Sequence, residues 1–532
     1  METKKSPLLQ IKDMSISFFS GKDKKNGVKA VKNISFDVME GEIVGIVGES
    51  GSGKSVTSLS IMGLLSENGA ITGGSVFFNG KEISHFTKKQ YQSIRGTEIS
   101  MVFQEPMTSL NPVLTIGYQV EEMLLLHTKM GKKERLEAMI QILSEAGLPD
   151  AAGLLSKYPH ELSGGMRQRV MIAMAMILKP KLLIADEPTT ALDVTIQAKI
   201  LELLKKMNET YGTTVILISH DLGVIKSICS RAVVMYRGEI VEAGNTADLF
   251  ANPQKDYTKR LLFAASGTKG QMEQGREEAQ SLTAAAIEND EILNVKDLRV
   301  FYDEKKKRLF ERRKKKEAVK GVSFQLYEGE ILGIVGESGC GKSSLAKALV
   351  KLQKDVTGTI CTSVKQPQMV FQDPYGSLNP SKKIGWLLEE PLRLKKVEKA
   401  ERVKRVEKIL EDVGLSKEYA DRYPNELSGG QRQRIAIALA VILNQKLIVL
   451  DEPVSALDVT VQAQILELLL RLRKEYRLSY VFISHDLSVV RKLCDRVLVM
   501  YDGHIVESGT TSAIYQTPEH PYTKKLLQAV LS

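Results

Sequence analysis

The chain has 532 residues, 43% of them apolar and 26% charged, which is typical of a soluble globular protein. Single cores stop growing near ~250–300 residues, so this length predicts more than one domain. The net charge of +10 suits an acidic ligand or membrane-side partners and does not by itself indicate nucleic acid. The four cysteines form no Cys-x-x-Cys pair, which disfavours zinc and iron–sulfur sites and favours a reducing compartment.

The sequence predicts neither a secretion signal nor a membrane-spanning segment. The N-terminus lacks the apolar core of a secretion signal, and the apolar run 170–178 is too short to cross a bilayer. We therefore expect an intracellular protein that reaches a membrane only through partners.

In chain order, short strands are predicted at Leu9–Phe18 and Ile34–Val38, and a third strand, Glu42–Val47, leads into a glycine-rich loop and a helix. The loop reads GxxxxGK[ST], the pattern of a phosphate-binding loop between strand and helix. Its glycines let several backbone N–H groups point at one anion, and the helix adds its positive end. The lysine would neutralise outer phosphates and the last serine would bind Mg²⁺. The predicted phosphate-binding residues are Gly48, Ser50, Gly51, Gly53, Lys54 and Ser55.

A glutamine and a serine–glycine turn follow. Gln104 comes after a strand-like segment, where a neutral amide can touch Mg²⁺ and water from a loop. Ser163 precedes an apolar, basic helix, Met166–Leu178, and can cap it, while Gly164 and Gly165 expose N–H groups. This turn is predicted to be a second anion site.

Two acids and a histidine complete the first half of the chain. Asp186 and Glu187 end a buried apolar strand. The first would hold Mg²⁺, and the second would orient or deprotonate an attacking water. His220 follows another strand and could hydrogen-bond a γ-phosphate or that water.

Every one of these motifs occurs twice. Lys54 returns at an offset of 288 residues, Gln104 at 268, and the later motifs at 265. The second copy therefore lacks about twenty residues, which correspond to a stretch like 81–96, expected to be a peripheral strand-and-turn elaboration. The second set comprises Gly336, Ser338, Gly339, Gly341, Lys342, Ser343, Ser344, Gln372, Ser428, Gly429, Gly430, Gln431, Asp451, Glu452 and His485. Each copy has two anion-binding ends and needs one for its own nucleotide, so we expect each copy to complete the other's site.

The alternation of strands and helices predicts an α/β fold with two tandem domains. Each would have a parallel-sheet core, an antiparallel β subdomain and a helical subdomain, the last near residues 120–146 and 387–413. In the second copy, front strands are expected at Leu293–Phe301 and Val322–Leu326. The domains are predicted at 1–265 and 291–532, and the polar stretch 266–290 reads as a flexible linker.

Ten lysines and arginines cluster between Asp303 and Lys320. A solvated loop is the favoured interpretation, because the run is short. A nucleic-acid patch and a contact with lipid head groups are the alternatives.

The duplicated set of motifs resembles the ATP-binding subunit of ABC transporters, fused twice in one polypeptide. Within that family it is similar to importer ATPases of the oligopeptide, dipeptide and nickel class, whose fused members include glutathione and peptide importers. The segments that carry this likeness are Gln104–Pro112, Gln372–Pro380 and the tail His520–Leu527, while the first tail, Lys255–Leu262, is a degenerate version.

The resemblance implies a head-to-tail sandwich with ATP and Mg²⁺ at both seams. The loop Gly48–Ser55 would face Ser428–Gln431, and Gly336–Ser343 would face Ser163–Met166. Met166 departs from the usual glutamine, a side chain that does not bind the anion, so that site is expected to remain active. The resemblance implies that Gln104 and Gln372 contact Mg²⁺ beside Ser55, Ser343, Asp186 and Asp451. Phe18 (next to Phe19) and Tyr302 match the position of a ring that stacks on adenine, and both could instead be strand-end core residues. Asp193 and Asp458 have an implied role in communication between the copies.

The resemblance also implies partners and a location. These are two integral-membrane permease subunits and an extracytoplasmic solute-binding protein, with one copy of this chain per transporter at the cytoplasmic face of the cell membrane. The solute could be a di- or oligopeptide or glutathione; a nickel or metal-chelate importer is the alternative. A soluble double ATPase acting on ribosomes is less favoured because the linker is short and mixed. Repair ATPases would carry coiled coils or zinc cysteines, and exporters would lack the importer-like segments.

Overall fold

The computed structural model describes residues 6–19, 27–104, 109–190, 194–266, 290–303, 315–455 and 457–531. The chain forms two compact units, one mainly from each half. In each unit the described residues form a six-stranded sheet and a smaller antiparallel sheet, with helices around them. The predicted α/β class with two tandem domains of one fold is confirmed. The predicted linker lies almost entirely outside the described residues, so the domain boundaries stay a prediction.

The first unit contains ten strands among its described residues. They are β1 (Leu9–Phe19), β2 (Gly27–Val38), β3 (Ile43–Val47), β4 (Gly69–Phe78), β5 (Lys81–Glu82), β6 (Ile99–Val102), β7 (Leu182–Asp186), β8 (Thr214–Ser219), β9 (Arg231–Tyr236) and β10 (Glu239–Asn245). The large sheet has the order β10-β9-β3-β8-β7-β6, and only the β9–β10 pair is antiparallel. The small sheet has the order β2-β1-β4-β5.

The first unit also contains ten helices among its described residues. They are α1 (Lys54–Ile61), α2 (Lys88–Ile94), α3 (Ile116–His127), α4 (Lys132–Glu145), α5 (Ala151–Leu154), α6 (Gly164–Met176), α7 (Val194–Tyr211), α8 (Leu222–Ile228), α9 (Thr246–Ala251) and α10 (Asp256–Ser266), with a 3₁₀ turn at Pro159–Glu161. The apolar faces of α3, α4 and α6 share one buried cluster with β7 and β8.

The second unit repeats this plan. Its strands are β11 (Glu291–Asp303), β12 (Lys315–Tyr327), β13 (Ile331–Val335), β14 (Val356–Thr362), β15 (Gln368–Val370), β16 (Leu447–Asp451), β17 (Ser479–Ile483), β18 (Arg496–Tyr501) and β19 (His504–Thr510). The sheets have the orders β15-β16-β17-β13-β18-β19 and β12-β11-β14. Its helices are α11 (Lys342–Leu349), α12 (Pro374–Ser377), α13 (Ile384–Leu394), α14 (Lys399–Asp412), α15 (Gly429–Val441), α16 (Val459–Tyr476), α17 (Leu487–Leu493), α18 (Thr511–Gln516) and α19 (Pro521–Leu531), with 3₁₀ turns at Lys417–Asp421 and Pro424–Glu426.

The central strands bring the functional motifs together. All five residues of β3 are buried, as are all residues of β7 and β8, because one face of the sheet packs on helices and the other packs on α1 and the small antiparallel sheet. The carboxyl ends of parallel strands meet at one edge. The loop after β3, the acids at the end of β7 and the histidine after β8 therefore lie at the same edge.

The stretches 120–146 and 387–413 are mainly helical, as predicted, and each contains parts of two helices: α3 and α4 in the first, α13 and α14 in the second. The front strands are longer than predicted; β2, for example, begins at Gly27 rather than Ile34.

The twenty-residue insertion is not a strand-and-turn elaboration. It contains the two-residue strand β5 and then the helix α2. The helix begins because Thr87 and Gln90 form a capping box. In the second unit β14 is followed directly by β15.

The basic run is only partly described. Residues 304–314 lie outside the described part of the chain, and 315–320 belong to β12 rather than to a loop. No helix in the described ranges is long and apolar enough to span a bilayer.

Candidate functional site

The phosphate loop of the first unit folds against the end of β9. A Cβ atom at Gly48 would lie 2.1 Å from the carbonyl oxygen of Met235, so only glycine fits there. Gly53 adopts φ 101° as the residue before α1. The buried Lys54 ammonium donates to the carbonyl oxygens of Gly48 (2.7 Å) and Glu49 (2.8 Å). The lysine is thus folded back along the loop, while Ser50 and Gly51 are exposed at its tip.

The hydroxyl group that follows the lysine faces the first acid of the strand pair. Ser55 Oγ donates to Asp186 Oδ1 at 3.1 Å. Burial raises the pKa of Asp186 to about 6, although this hydrogen bond and the Lys54 charge act in the opposite direction. The side-chain oxygens of Ser55 and Asp186, beside Lys54, are suitable ligands for a hard cation that also binds phosphate groups.

Glu187 is held by three polar side chains. Its carboxylate accepts hydrogen bonds from Gln104 Nε2 (2.8 Å) and Thr190 Oγ1 (2.9 Å), and it pairs with His220 Nδ1 at 3.2 Å. Its backbone has φ 47°, the left-handed region, and its N–H donates to the carbonyl of Ile218. A glutamate in this region is strained, and such strain concentrates at functional sites.

The acid and the histidine stabilise each other's charged forms. Burial favours the neutral form of both groups. Burial is the largest single influence on each group, but their mutual hydrogen bond and opposite charges, with smaller contributions from neighbouring groups, together exceed it, so the pKa of Glu187 is lowered and that of His220 is raised. Burial lowers the pKa of Lys54, with the charges of Glu187 and Asp186 opposing that shift.

The second unit reproduces this arrangement. Lys342 Nζ donates to the carbonyl oxygens of Gly336 (2.7 Å) and Glu337 (2.9 Å), and Ser343 Oγ donates to Asp451 Oδ1 (3.1 Å). Glu452 has a backbone φ of 48°, and its carboxylate accepts a hydrogen bond from Gln372 Nε2 at 2.8 Å and pairs with His485 Nδ1 at 3.2 Å. The pKa of Asp451 is raised by burial. Burial is also the largest single influence on Glu452 and His485, but their pairing and the neighbouring groups together exceed it, so the pKa of Glu452 is lowered and that of His485 is raised. Gly339, with φ 85°, and Ser338 lie exposed at the loop tip, and Gly341 and Ser344 flank the lysine and serine.

The serine–glycine turns begin helices, as the sequence indicates, but the two turns differ. Ser163 Oγ accepts the N–H of Met166 at 3.3 Å, with Gly164 and Gly165 in the first turn of α6. Ser428 Oγ accepts the N–H of Gln431 at 3.4 Å.

In the second turn the Gln431 side chain also takes part. Its Oε1 accepts the N–H of Ser428 (2.9 Å), which completes a capping box, and its Nε2 donates to Tyr419 Oη (2.9 Å). The amide of Gln431 is therefore engaged within the turn, and Gly429 and Gly430 present the helix N–H groups. Met166 cannot make these contacts.

The remaining predicted residues are two aromatic rings and two aspartates. Phe18 is half-buried near the end of β1, packed on Gly69. Tyr302 lies near the end of β11 and is 37% exposed. Asp458 is half-buried before α16, and Asp193 lies outside the described residues. The structure leaves the adenine-stacking and communication roles as predictions.

Thr190 is a contact that the sequence interpretation did not include. It lies three residues after Glu187, and its hydroxyl bonds the same carboxylate oxygen as Gln104. The second unit has Ser455 at the matching place, where the hydroxyl donates to the backbone carbonyl of Glu452 at 3.2 Å. The sequence signal that could have predicted these contacts is a hydroxyl residue three positions after each glutamate.

Comparison with known families decides the assignment. A family model described as "ABC transporter" matches residues 31–190 and 319–455, which include both phosphate loops and both acid pairs. The chain belongs to the ABC transporter family. It is an ATP-binding ATPase with two ABC domains. A model described as "Oligopeptide/dipeptide transporter, C-terminal region" matches residues 506–532 of this ABC protein, and one described as "AAA domain, putative AbiEii toxin, Type IV TA system" matches 156–226.

Relatives cover nearly the whole ABC chain. It is 44% identical to "Glutathione import ATP-binding protein GsiA" of Salmonella choleraesuis (strain SC-B67), over 94% of this chain and 86% of the relative. The protein of the same name from Escherichia coli (strain K12) is 42% identical over 98% and 89%. Among solved structures, an archaeal ribosome recycling factor, aABCE1, in complex with the ribosomal stalk protein aP1, has a TM-score of 0.57 and 23% identity over 86% of this chain and 83% of that one. That likeness concerns the fold alone.

Proposed function

We propose that this ABC protein is the peripheral ATPase of an importer for glutathione or short peptides. Two whole-length relatives carry the name of glutathione import ATP-binding proteins, and the C-terminal region matches the oligopeptide/dipeptide transporter model. The observation that carries the proposal is the complete duplication of the lysine–serine–aspartate and glutamine–glutamate–histidine contacts. Both copies retain the groups needed for hydrolysis, so both are proposed to turn over ATP.

The chemistry proposed for each site starts with binding. Lys54 leaves its contacts with the loop carbonyls to bind the outer phosphates, and the loop N–H groups surround them. Ser55 and Asp186 supply oxygen donors for Mg²⁺, which neutralises charge on the phosphates when it is bound. In the second unit Lys342, Ser343 and Asp451 have the same roles.

Glu187 is proposed to accept the proton of the attacking water or to orient it. The pKa of this buried acid is lowered by its partner histidine, so it is ionised at neutral pH. His220 holds the carboxylate and can reach a phosphate oxygen or the water, while Gln104 contacts both the acid and the water. Glu452, His485 and Gln372 form the second set.

We further propose that each site is completed by the serine–glycine turn of the other copy. The support is the surplus of anion-binding ends: each copy has a phosphate loop and also a helix N-terminus that its own nucleotide does not need. ATP binding would close the two copies on each other, and hydrolysis would reopen them. Phe18 and Tyr302 are proposed to stack on adenine.

The proposed partners are two integral-membrane permeases and an extracytoplasmic solute-binding protein, with this chain at the cytoplasmic face of the membrane. The solute class can be tested in a strain that lacks the gene and carries it on a plasmid. We expect uptake of labelled glutathione or of a labelled di- or tripeptide to be lost in the deletion strain and restored by the plasmid. Loss of nickel uptake alone would favour the metal-chelate alternative, and normal uptake of every solute would refute the proposal.

A further inference from the structure

The C-terminal helix of each unit contacts the phosphate loop of the same unit. In the first unit the backbone N–H of Glu49, the second loop residue, donates to Tyr257 Oη at 3.3 Å. In the second unit the N–H of Glu337 donates to Tyr522 Oη at 2.9 Å. Tyr257 is in α10 and Tyr522 in α19, so each bond joins segments about two hundred residues apart.

Each tyrosine ring is fixed by a second tyrosine. The ring centroids of Tyr236 and Tyr257 are 4.2 Å apart, and those of Tyr501 and Tyr522 are 4.3 Å apart. Tyr236 is the last residue of β9 and directly follows Met235, whose carbonyl oxygen is the close neighbour of Gly48. The stack therefore joins the helix to the strand that shapes the start of the loop.

An acid on the neighbouring strand holds the beginning of each tail helix. Glu242 in β10 accepts the N–H groups of Gln254 (2.9 Å) and Lys255 (3.2 Å). Glu507 in β19 accepts those of Glu519 (2.8 Å) and His520 (3.1 Å). A carboxylate at a helix N-terminus satisfies otherwise unpaired N–H groups.

In each unit the turn of the last β-hairpin, β9–β10 or β18–β19, also contacts the middle of the phosphate loop. The N–H of Gly238 donates to the carbonyl of Ser52 at 3.0 Å, and the N–H of Gly503 donates to the carbonyl of Cys340 at 3.0 Å. The phosphate loop is thus bonded at two points in both units, once by the hairpin and once by the tail tyrosine.

We propose that Tyr257 and Tyr522 are positioning residues for nucleotide binding, through which the C-terminal helix of each copy sets the shape of its phosphate loop. The two tails differ where Lys255-Asp256 replaces His520-Pro521, yet both retain the Tyr-Thr-Lys segment that contains the contact. Burial raises the pKa of Tyr257 to about 12, so its hydroxyl stays neutral over the working pH range. This inference rests on the proposed ATP site.

The test removes one hydroxyl and keeps the ring. Full-length chain carrying Lys54→Ala, so that only the second loop binds, is compared with the same chain carrying Tyr522→Phe as well. Binding is titrated with a non-hydrolysable ATP analogue and Mg²⁺, and ATPase turnover is measured separately in a chain that retains Lys54. We expect the dissociation constant to rise about three- to tenfold, because one net hydrogen bond is lost from the loop. Turnover at saturating ATP should change less than twofold.

Tyr480→Phe is the matched control. Its buried hydroxyl donates to the backbone carbonyl of Leu469 at 3.1 Å, so it loses a comparable bond away from the loop. The inference is overturned if Tyr522→Phe leaves the dissociation constant within twofold of its parent, or if Tyr480→Phe raises it equally. A chain with both Lys54→Ala and Lys342→Ala that still bound the analogue would instead refute the proposed ATP site.

Discussion

Replacing Glu187 by glutamine removes the proposed base with little change in shape. One carboxylate oxygen accepts hydrogen bonds from Gln104 and Thr190, and the other pairs with His220. A glutamine can keep its amide oxygen toward the first two donors and turn its amide nitrogen toward the imidazole. We therefore expect Glu187→Gln to fold and to bind ATP.

The kinetic effect should be far larger than the structural one. A positioned general base contributes roughly 10²- to 10⁴-fold in rate, or about 3–5 kcal/mol of barrier. A hydrogen bond to a charged group contributes about 1.5–3 kcal/mol to stability, and two of the three contacts survive the change. Turnover at the altered site should thus fall at least a hundredfold, while the dissociation constant for ATP stays within a few-fold.

The assay is phosphate release by the full chain with saturating ATP and Mg²⁺. We compare Glu187→Gln, Glu452→Gln and the double variant, with Glu202→Gln as a control because that side chain is exposed on α7. Each single variant should depress turnover strongly, and the double variant should lose at least 99% of it, by the same estimate. A single variant with turnover equal to that of the unaltered chain would refute the claim that both sites work.

Three further outcomes are expected. Gly48→Ala should abolish ATP binding at the first loop in an equilibrium titration, because its Cβ would lie 2.1 Å from the carbonyl oxygen of Met235; unchanged binding would contradict this packing. His220→Gln should lower the unfolding temperature most near pH 5.5 and least above pH 8. The raised pKa of His220 adds stability that is lost as the pH rises, and the lowered pKa of Glu187 adds stability that is lost as the pH falls. An effect that did not vary with pH would count against the ion pair. Ser428→Arg should impair photolabelling by an ATP analogue at the first loop more than at the second, and the reverse pattern would disprove the composite sites.

Local motifs were predictable because each one contains its own chemistry within a few residues. The phosphate loops, the acid pairs and the serine caps all fold where the sequence indicates, since glycine, apolar and capping residues specify those turns and strands locally. The repeat then placed the second set without further assumptions.

Contacts between distant segments could not be predicted in this way. The bond from Gln104 to Glu187 depends on β6 lying beside β7, and the bond from Glu49 to Tyr257 joins residues 208 positions apart. The helix α2 was missed because a capping box at Thr87 outweighs a segment with little helical periodicity.

The central claim is that ATP hydrolysis by this chain drives import of glutathione or short peptides. The most direct measurement is uptake of the labelled solute in a deletion strain that expresses either the unaltered chain or the double variant Glu187→Gln/Glu452→Gln at equal levels. We predict that the unaltered chain restores uptake and the double variant does not, although it still binds ATP. Full uptake with the double variant would contradict the account.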